Sequence, residues 1–252
     1  MPLTTLKLSD CHLQEFLGIA ANFGMRDYGY AVTPNVDHII RFFDDAAFRE
    51  IYGAASFVLL DSRFLAKLMR LTLGVRLPIC PGSDVTAELF KVVIAPDDEI
   101  VLVGGSALQA GQLKQRHGLT RLRHIDPPMG FIADPAAVDA CLRFIEDAAP
   151  FRFCLLAVGS PQQEILARML MQRGRARGLA LCVGGSINFL TGAERRAPLW
   201  MRTSGLEWAH RLLQDPARMT RRYLLRGPRI FWLLRRIKFE LRAAAAAPAP
   251  RG

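Results

Sequence analysis

The sequence predicts an α/β fold: a Rossmann-like, mainly parallel sheet covered by helices on both faces, followed by a basic helical C-terminal appendage. Short apolar runs ending in glycine or a small polar residue alternate with segments of helical period, the signature of βα units. Those runs are near-continuously apolar rather than alternating, as strands covered on both faces require. Beyond Gly192 the period is helical and the charge strongly basic.

YGYAVT (28–33) reads as a strand leading into one helix from Asn35 to Tyr52, and SFVLL (56–60) as a short strand ending at Asp61. SRFLAKLMRLTLG then has helical spacing. EIVLVGG (99–105), TRLRHI (120–125), FRFCLLAVG (151–159) and LALCVGG (179–185) are the next strands, with helices predicted over 108–117, 133–148 and 162–174 between them. Gly227-Pro228 breaks the C-terminal helices. From Arg229 to Arg242, Ile230, Leu233, Leu234, Ile237 and Leu241 share one helical face opposite Arg235, Lys238 and Arg242, which predicts a basic amphipathic helix. The domain reading is a Rossmann-like α/β core over 1–194, a basic helical appendage over 195–244 and a disordered tail over 245–252.

Charge supports that division. Fourteen of the 33 Lys/Arg but only three acids lie beyond residue 194, a charge of +11, whereas the first 194 residues sum to −1. A basic segment on a neutral body expects phosphate: anionic lipid, nucleic acid or a phosphorylated substrate. The five cysteines are scattered, with no C-x-x-C pair, and read as reduced thiols of a cytosolic protein. The N-terminus lacks the pattern of a secretion signal, and no run of about 18 apolar residues exists. The five histidines form no metal-ligating group, and no metal or cofactor is expected.

Three strand ends carry Gly104-Gly105-Ser106, Gly159-Ser160-Pro161-Gln162-Gln163-Glu164 and Gly184-Gly185-Ser186. Glycine permits close approach to backbone, and free N–H groups at the following helix start suit a nucleotide diphosphate, although tight βα turns use glycine for purely structural reasons too. Neither G-x-G-x-x-G nor a Walker A pattern is present. Asp61 reads either as a base at a strand end or as the cap of the helix beginning at Ser62, and spacing alone favours the cap. Thr33 and Asn35 pose the same choice between sugar contact and cap. Trp208 is expected to pack in the core, with Trp200 and Trp232 near the basic segment.

VTPNVDHI (32–39), GSDV (82–85), VGG (103–105), VGSPQQE (158–164) and the long block from Val183 to Tyr223 together resemble the ordered motifs of the WecG/TagA/CpsF glycosyltransferases, glycosyltransferase family 26. The resemblance implies a UDP-sugar donor, inversion without an obligatory metal, and a polyprenyl-diphosphate-linked saccharide as acceptor. It places the base on Asp61, Thr33 and Asn35 near the transferred sugar or acceptor, and Gln163 beside the donor. It offers Arg211, Arg218, Arg221 and Arg222 for diphosphate contacts, a role that planar, permanently charged guanidiniums suit. Gly104, Gly105, Gly184 and Gly185 complete the expected binding set. The chain departs from the pattern at Ser62, Ile79 and Asn188, where many members have Gly, Arg and Asp. The expected protein is a cytoplasmic enzyme attached peripherally to the inner face of the membrane, in surface-polysaccharide synthesis. The competing reading is a non-catalytic binder of nucleic acid or anionic membrane, and the absence of an aromatic-basic RNA motif disfavours nucleic acid as a partner.

Overall fold

The computed structural model describes residues 4–244, the side chains of Arg218, Arg221 and Arg222 excepted. The expected disordered tail over 245–252 lies outside the described residues. The chain opens with β1 (Thr4–Asp10), α1 (Leu13–Asn22) and β2 (Tyr28–Val32), then α2 (Val36–Asp44), α3 (Ala46–Ala54) and the short β3 (Phe57–Val58). Next come α4 (Arg63–Leu73), α5 (Gly82–Val92), β4 (Ile100–Val103), α6 (Ala107–His117), β5 (Leu122–Ile125), α7 (Pro135–Glu146), β6 (Phe153–Leu156), α8 (Gln162–Arg173) and β7 (Gly178–Cys182). The remainder holds α9 (Ser186–Thr191), α10 (Leu199–Ser204), α11 (Glu207–Gln214), α12 (Pro216–Thr220), a π-helical segment (Arg221–Arg226), α13 (Arg229–Leu233) and β8 (Ile237–Ala243).

Six strands form one all-parallel sheet in the order β3-β2-β7-β6-β4-β5. The residues of β4, β6 and β7 are entirely buried, because helices cover both faces of the sheet, which divides the core into two apolar layers. The predicted α/β class and parallel sheet are therefore present. All five cysteines are free and buried, and burial pushes the Cys11 thiol up to about 11, which makes it a poor nucleophile.

Gly178 opens β7 with φ +119°, and a Cβ there would collide with the Phe151 carbonyl, which is fixed backbone. Gly178→Ala is expected to cost about 2–3 kcal/mol through forced repacking and backbone strain, read as a lower urea midpoint with an unchanged folded spectrum.

Two predicted helices are corrected. The single helix from Asn35 to Tyr52 is two, because the Asp45 carboxylate accepts from Ala47 N–H and Phe48 N–H, which stops α2 and caps α3. The amphipathic helix from Arg229 to Arg242 ends at Leu233, and β8 follows, paired in parallel with β1 over seven residues from Thr4↔Ile237 to Asp10↔Ala243. Ile237 and Phe239 also satisfy the two-residue period of a strand, and β1 supplies an open ladder that outweighs a helix pointing into solvent. Ser9 Oγ accepts from Val58 N–H, and Arg242 Nη2 donates to the Ala55 and Ser56 carbonyls, so the strand pair is stitched beside β3 by side chains.

Candidate active site

A cleft of about 360 Å³ opens beyond the carboxyl ends of β2 and β3, where parallel α/β sheets place their ligands. Its sheet side is lined by Asn35 and Val36 after β2 and by Asp61 to Phe64 after β3. Its other side comes from the C-terminal segment: Arg202 on α10, Glu207, Trp208 and Arg211 on α11, and Tyr223, Pro228, Ile230 and Phe231 further on. Two stretches far apart in sequence thus form one cavity, fastened at several points. Lys67 Nζ donates to Ser204 O at 2.9 Å, Arg229 makes two 2.8 Å bonds to the Asp44 carboxylate, and Gly205 lies so near the Phe64 backbone that a Cβ would approach it to 3.2 Å.

Asp61 does not cap α4; Ser62 does, its hydroxyl accepting from Leu65 N–H at 3.1 Å. The cap reading that spacing favoured is thereby corrected, since Ser62 occupies the N-cap and leaves Asp61 one residue outside the helix. The freed carboxylate accepts from Gly82 N–H at 2.7 Å. Burial raises its pKa above the ordinary value of 3.8, while the Arg211 charge and the Gly82 bond oppose that rise without cancelling it. A carboxylate fixed by one backbone bond, proton-hungry and facing a cleft has the properties of a general base.

The other predicted residues are distributed along the same sheet edge. Asn35 lines the cleft and also caps α2, accepting from Asp37 N–H at 3.1 Å. Thr33 Oγ1 donates to Cys182 O at 3.3 Å and packs against Gly82, the residue whose N–H holds Asp61. Gln163 is buried, with its amide oxygen accepting from Gly184 N–H at 2.9 Å and its amide nitrogen donating to Glu164 at 2.8 Å. It thereby fixes the Gly184-Gly185 turn at the end of β7. Gly104 and Gly105 follow β4 with φ +91° and +75°, and a Cβ on Gly104 would meet the Ala157 backbone at 2.9 Å. None of Thr33, Gly104, Gly105, Gln163, Gly184 and Gly185 lines the cleft itself. Arg211 does, with Nη2 3.3 Å from Glu207 and its guanidinium over the Phe189 ring at 5.2 Å. The side chains of Arg218, Arg221 and Arg222 lie outside the described residues.

Several groups in the cleft or on the elements around it escaped the reading of the sequence. Arg63 and Arg202 line it and both pair with Asp84, from α5. Trp208, expected in the core, instead lines the cleft edge-on to Phe64 and Tyr223, and its buried indole nitrogen has no hydrogen-bond partner among the described residues. His38, one of the histidines without a metal pattern, is buried, with Nε2 3.4 Å from Glu164 and Nδ1 accepting from the Asn35 backbone N–H at 3.4 Å. Asn188, where Asp is common in the resembling family, accepts from Gln109 at 2.9 Å and donates to Glu194 at 2.8 Å.

A parallel α/β sheet whose strand-end cleft is lined by a buried carboxylate, arginines and aromatic side chains is the frame of an enzyme, here a glycosyltransferase using a UDP-sugar. The sequence model of the Glycosyl transferase WecG/TagA/CpsF family matches residues 1–244, and the chain belongs to that family. It therefore belongs among the glycosyltransferases of surface-polysaccharide and teichoic-acid synthesis, acting on lipid-linked acceptors.

Proposed function

We propose that this enzyme moves a hexose, N-acetylhexosamine or uronic acid residue from a UDP-sugar to a polyprenyl-diphosphate-linked saccharide, with inversion and without a metal. The observation that carries this is Asp61: a buried, pKa-raised carboxylate held by Gly82 N–H inside a cleft that arginines roof. In this reading Asp61 takes the proton of the acceptor hydroxyl as its oxygen attacks the anomeric carbon, and the bond from that carbon to the UDP oxygen breaks on the opposite face. Arg211, with Arg218, Arg221 and Arg222 from the same segment, stabilises charge on the departing diphosphate. Thr33 and Asn35 orient the transferred sugar or acceptor, and Gln163 holds the Gly184-Gly185 turn beside the donor, with Gly104 and Gly105 on the same sheet edge.

The C-terminal segment supports peripheral attachment to the inner face of the cell membrane. Among the described residues no helix is long and apolar enough to cross a bilayer. Leu199, Trp200, Leu213, Leu224, Leu225, Phe231 and Trp232 are nevertheless exposed, several on the elements that wall the cleft, with Arg226, Arg229 and Arg235 among them. Short helices carrying apolar and cationic side chains suit the headgroup boundary, where each Lys/Arg contributes about 1 kcal/mol. The domain division into a core over 1–194 and a membrane-association segment over 195–244 belongs to this reading.

The test is transfer of labelled sugar from a panel of UDP-sugars to a short-chain polyprenyl-diphosphate saccharide in the presence of EDTA, with flotation on vesicles. Metal-independent transfer and binding to anionic but not neutral vesicles are expected. No transfer across the panel, with retention on DNA at matched salt instead, would overturn the reading in favour of a nucleic-acid binder.

A further inference from the structure

Asp84 collects three guanidiniums. Arg63 Nη2 lies 2.6 Å from Oδ2, and Arg196 Nη2 and Arg202 Nη2 lie 2.5 and 3.1 Å from Oδ1. The carboxylate is buried, and although burial acts to raise its pKa, the Arg63 and Arg196 contacts win and hold it below the ordinary value. One carboxylate needs one cation, or two in a bifurcated pair. Three leave a local charge of +2 on side chains that are only about one fifth to one quarter exposed, so water compensates the surplus poorly. Of the other acids that line the cleft, Glu207 pairs with Arg211, Asp37 lies 4.0 Å from Arg226, and Asp61 accepts from Gly82 N–H. Each arginine gives Asp84 a single nitrogen; the Nε atoms of Arg196 and Arg202 are buried, without a hydrogen-bond partner among the described residues, so the donors left for a ligand are the remaining guanidinium nitrogens of the partly exposed Arg63 and Arg202. Arg63 and Arg202 line the cleft.

From this surplus of charge and unused donors we infer that Arg63 and Arg202, propped by Asp84, form a second anion subsite of the cleft, built for a diphosphate. The inference rests on the proposed transfer reaction, which brings two diphosphates to one site: that of the UDP-sugar and that of the lipid-linked acceptor. Arg211 pairs with Glu207, whereas Arg63 and Arg202 pair with Asp84, so different carboxylates position the two sets of guanidiniums and each set can serve one diphosphate. Asp84 acts as a positioning residue. It holds the guanidinium planes apart before substrate arrives and leaves their remaining N–H groups to grip phosphate oxygens in pairs.

The probe is inorganic pyrophosphate, titrated calorimetrically into the whole chain without divalent cations, followed by steady-state transfer kinetics. Arg63→Gln with Arg202→Gln is expected to weaken pyrophosphate binding by about tenfold or more, the size of a lost charge-assisted contact. The KM of one substrate is expected to rise at least as much while that of the other stays unchanged, and the affected substrate identifies whose diphosphate is bound. Arg63→Lys, which keeps the charge, is expected to recover part of the loss. If the double variant does not fold, Arg63→Gln alone carries the test, because Asp84 then still anchors Arg196 and Arg202. Unchanged pyrophosphate affinity and unchanged KM values, with only a lower Tm, would reduce the cluster to a structural latch and overturn the inference. Pyrophosphate binding that depends on Arg63 in a protein that transfers no sugar would instead count against the transfer reaction and leave the anion subsite standing.

Discussion

Asp61→Asn is expected to lower sugar transfer by about 10²-fold or more, as loss of a general base does, and to raise the Tm at the same time. Asparagine is nearly isosteric and its Oδ1 still accepts from Gly82 N–H, so the local geometry survives. What disappears is a charge that burial penalises. The sign follows from linkage. The folded protein holds the Asp61 proton to a higher pH than the unfolded chain does, so the stability due to this group is fully present below the ordinary carboxylate value of 3.8 and is lost as pH rises through the raised folded value. Catalysis runs the other way, because only the ionised carboxylate can accept the hydroxyl proton. The acidic limb of the kcat/KM profile is therefore expected above the ordinary carboxylate range, in the window where wild-type stability declines. Urea melts of both proteins across that window, beside a pH–rate profile, check both halves. A variant that loses activity and stability together would show that Asp61 mainly holds Gly82 and the start of α5 in place.

The parts of the molecule that sequence exposes are those governed by local chemistry. The buried strands β4, β6 and β7 announce themselves because a strand covered on both faces has no room for alternation. Asp61 stands out for the same reason, as a carboxylate directly behind Val58-Leu59-Leu60. Its neighbour Ser62 shows the limit: Asp and Ser are equivalent caps in a list of preferences, and only the register of α4 decides which one the helix uses. Asp84 was visible as part of GSDV but not as a site, because its partners Arg63, Arg196 and Arg202 are 21, 112 and 118 residues away in the chain. Gln163 was visible as a polar residue at a strand end, yet its bond to Gly184 depends on β6 and β7 being neighbours, which chain order alone does not specify. The segment 229–242 reads as a helix because Ile230, Leu233, Leu234, Ile237 and Leu241 fit a helical stripe. The deciding partner, β1, sits at the other end of the chain. Patterns of period 3.6 and period 2 overlap over so few residues, and a distant ladder then determines the outcome.

That distant ladder makes a chain ending at Arg236 the most disruptive change short of removing the base. Without β8, β1 loses its seven-residue parallel partner, the core loses Ile237 and the packing of Phe239, and the Arg242 bonds to Ala55 and Ser56 disappear. A buried Ile side chain contributes about 1.5–3 kcal/mol and each ladder bond a net ~0.5–1.5, so the total cost is on the order of 5 kcal/mol or more. The central sheet keeps its six strands and both core layers, and the loss is expected to concentrate where β8 restrains the chain. That place is α13, whose Ile230 and Leu233 pack into the core beside α2 and whose Ile230 and Phe231 line the cleft. Hydrogen exchange is expected to accelerate over residues 221–234 while β4, β6 and β7 stay protected, and transfer is expected to fall by about tenfold or more because the cleft loses one wall. Ile237→Ala provides the graded version, costing about 2–5 kcal/mol as a buried truncation, with the same direction in exchange and activity. If both variants lower the Tm but leave exchange at 221–234 and the KM values untouched, β8 stabilises the sheet edge without holding the cleft. If exchange and KM move together, the first and last strands of the chain form the clasp that keeps a catalytic wall, assembled from the far end of the sequence, closed over Asp61.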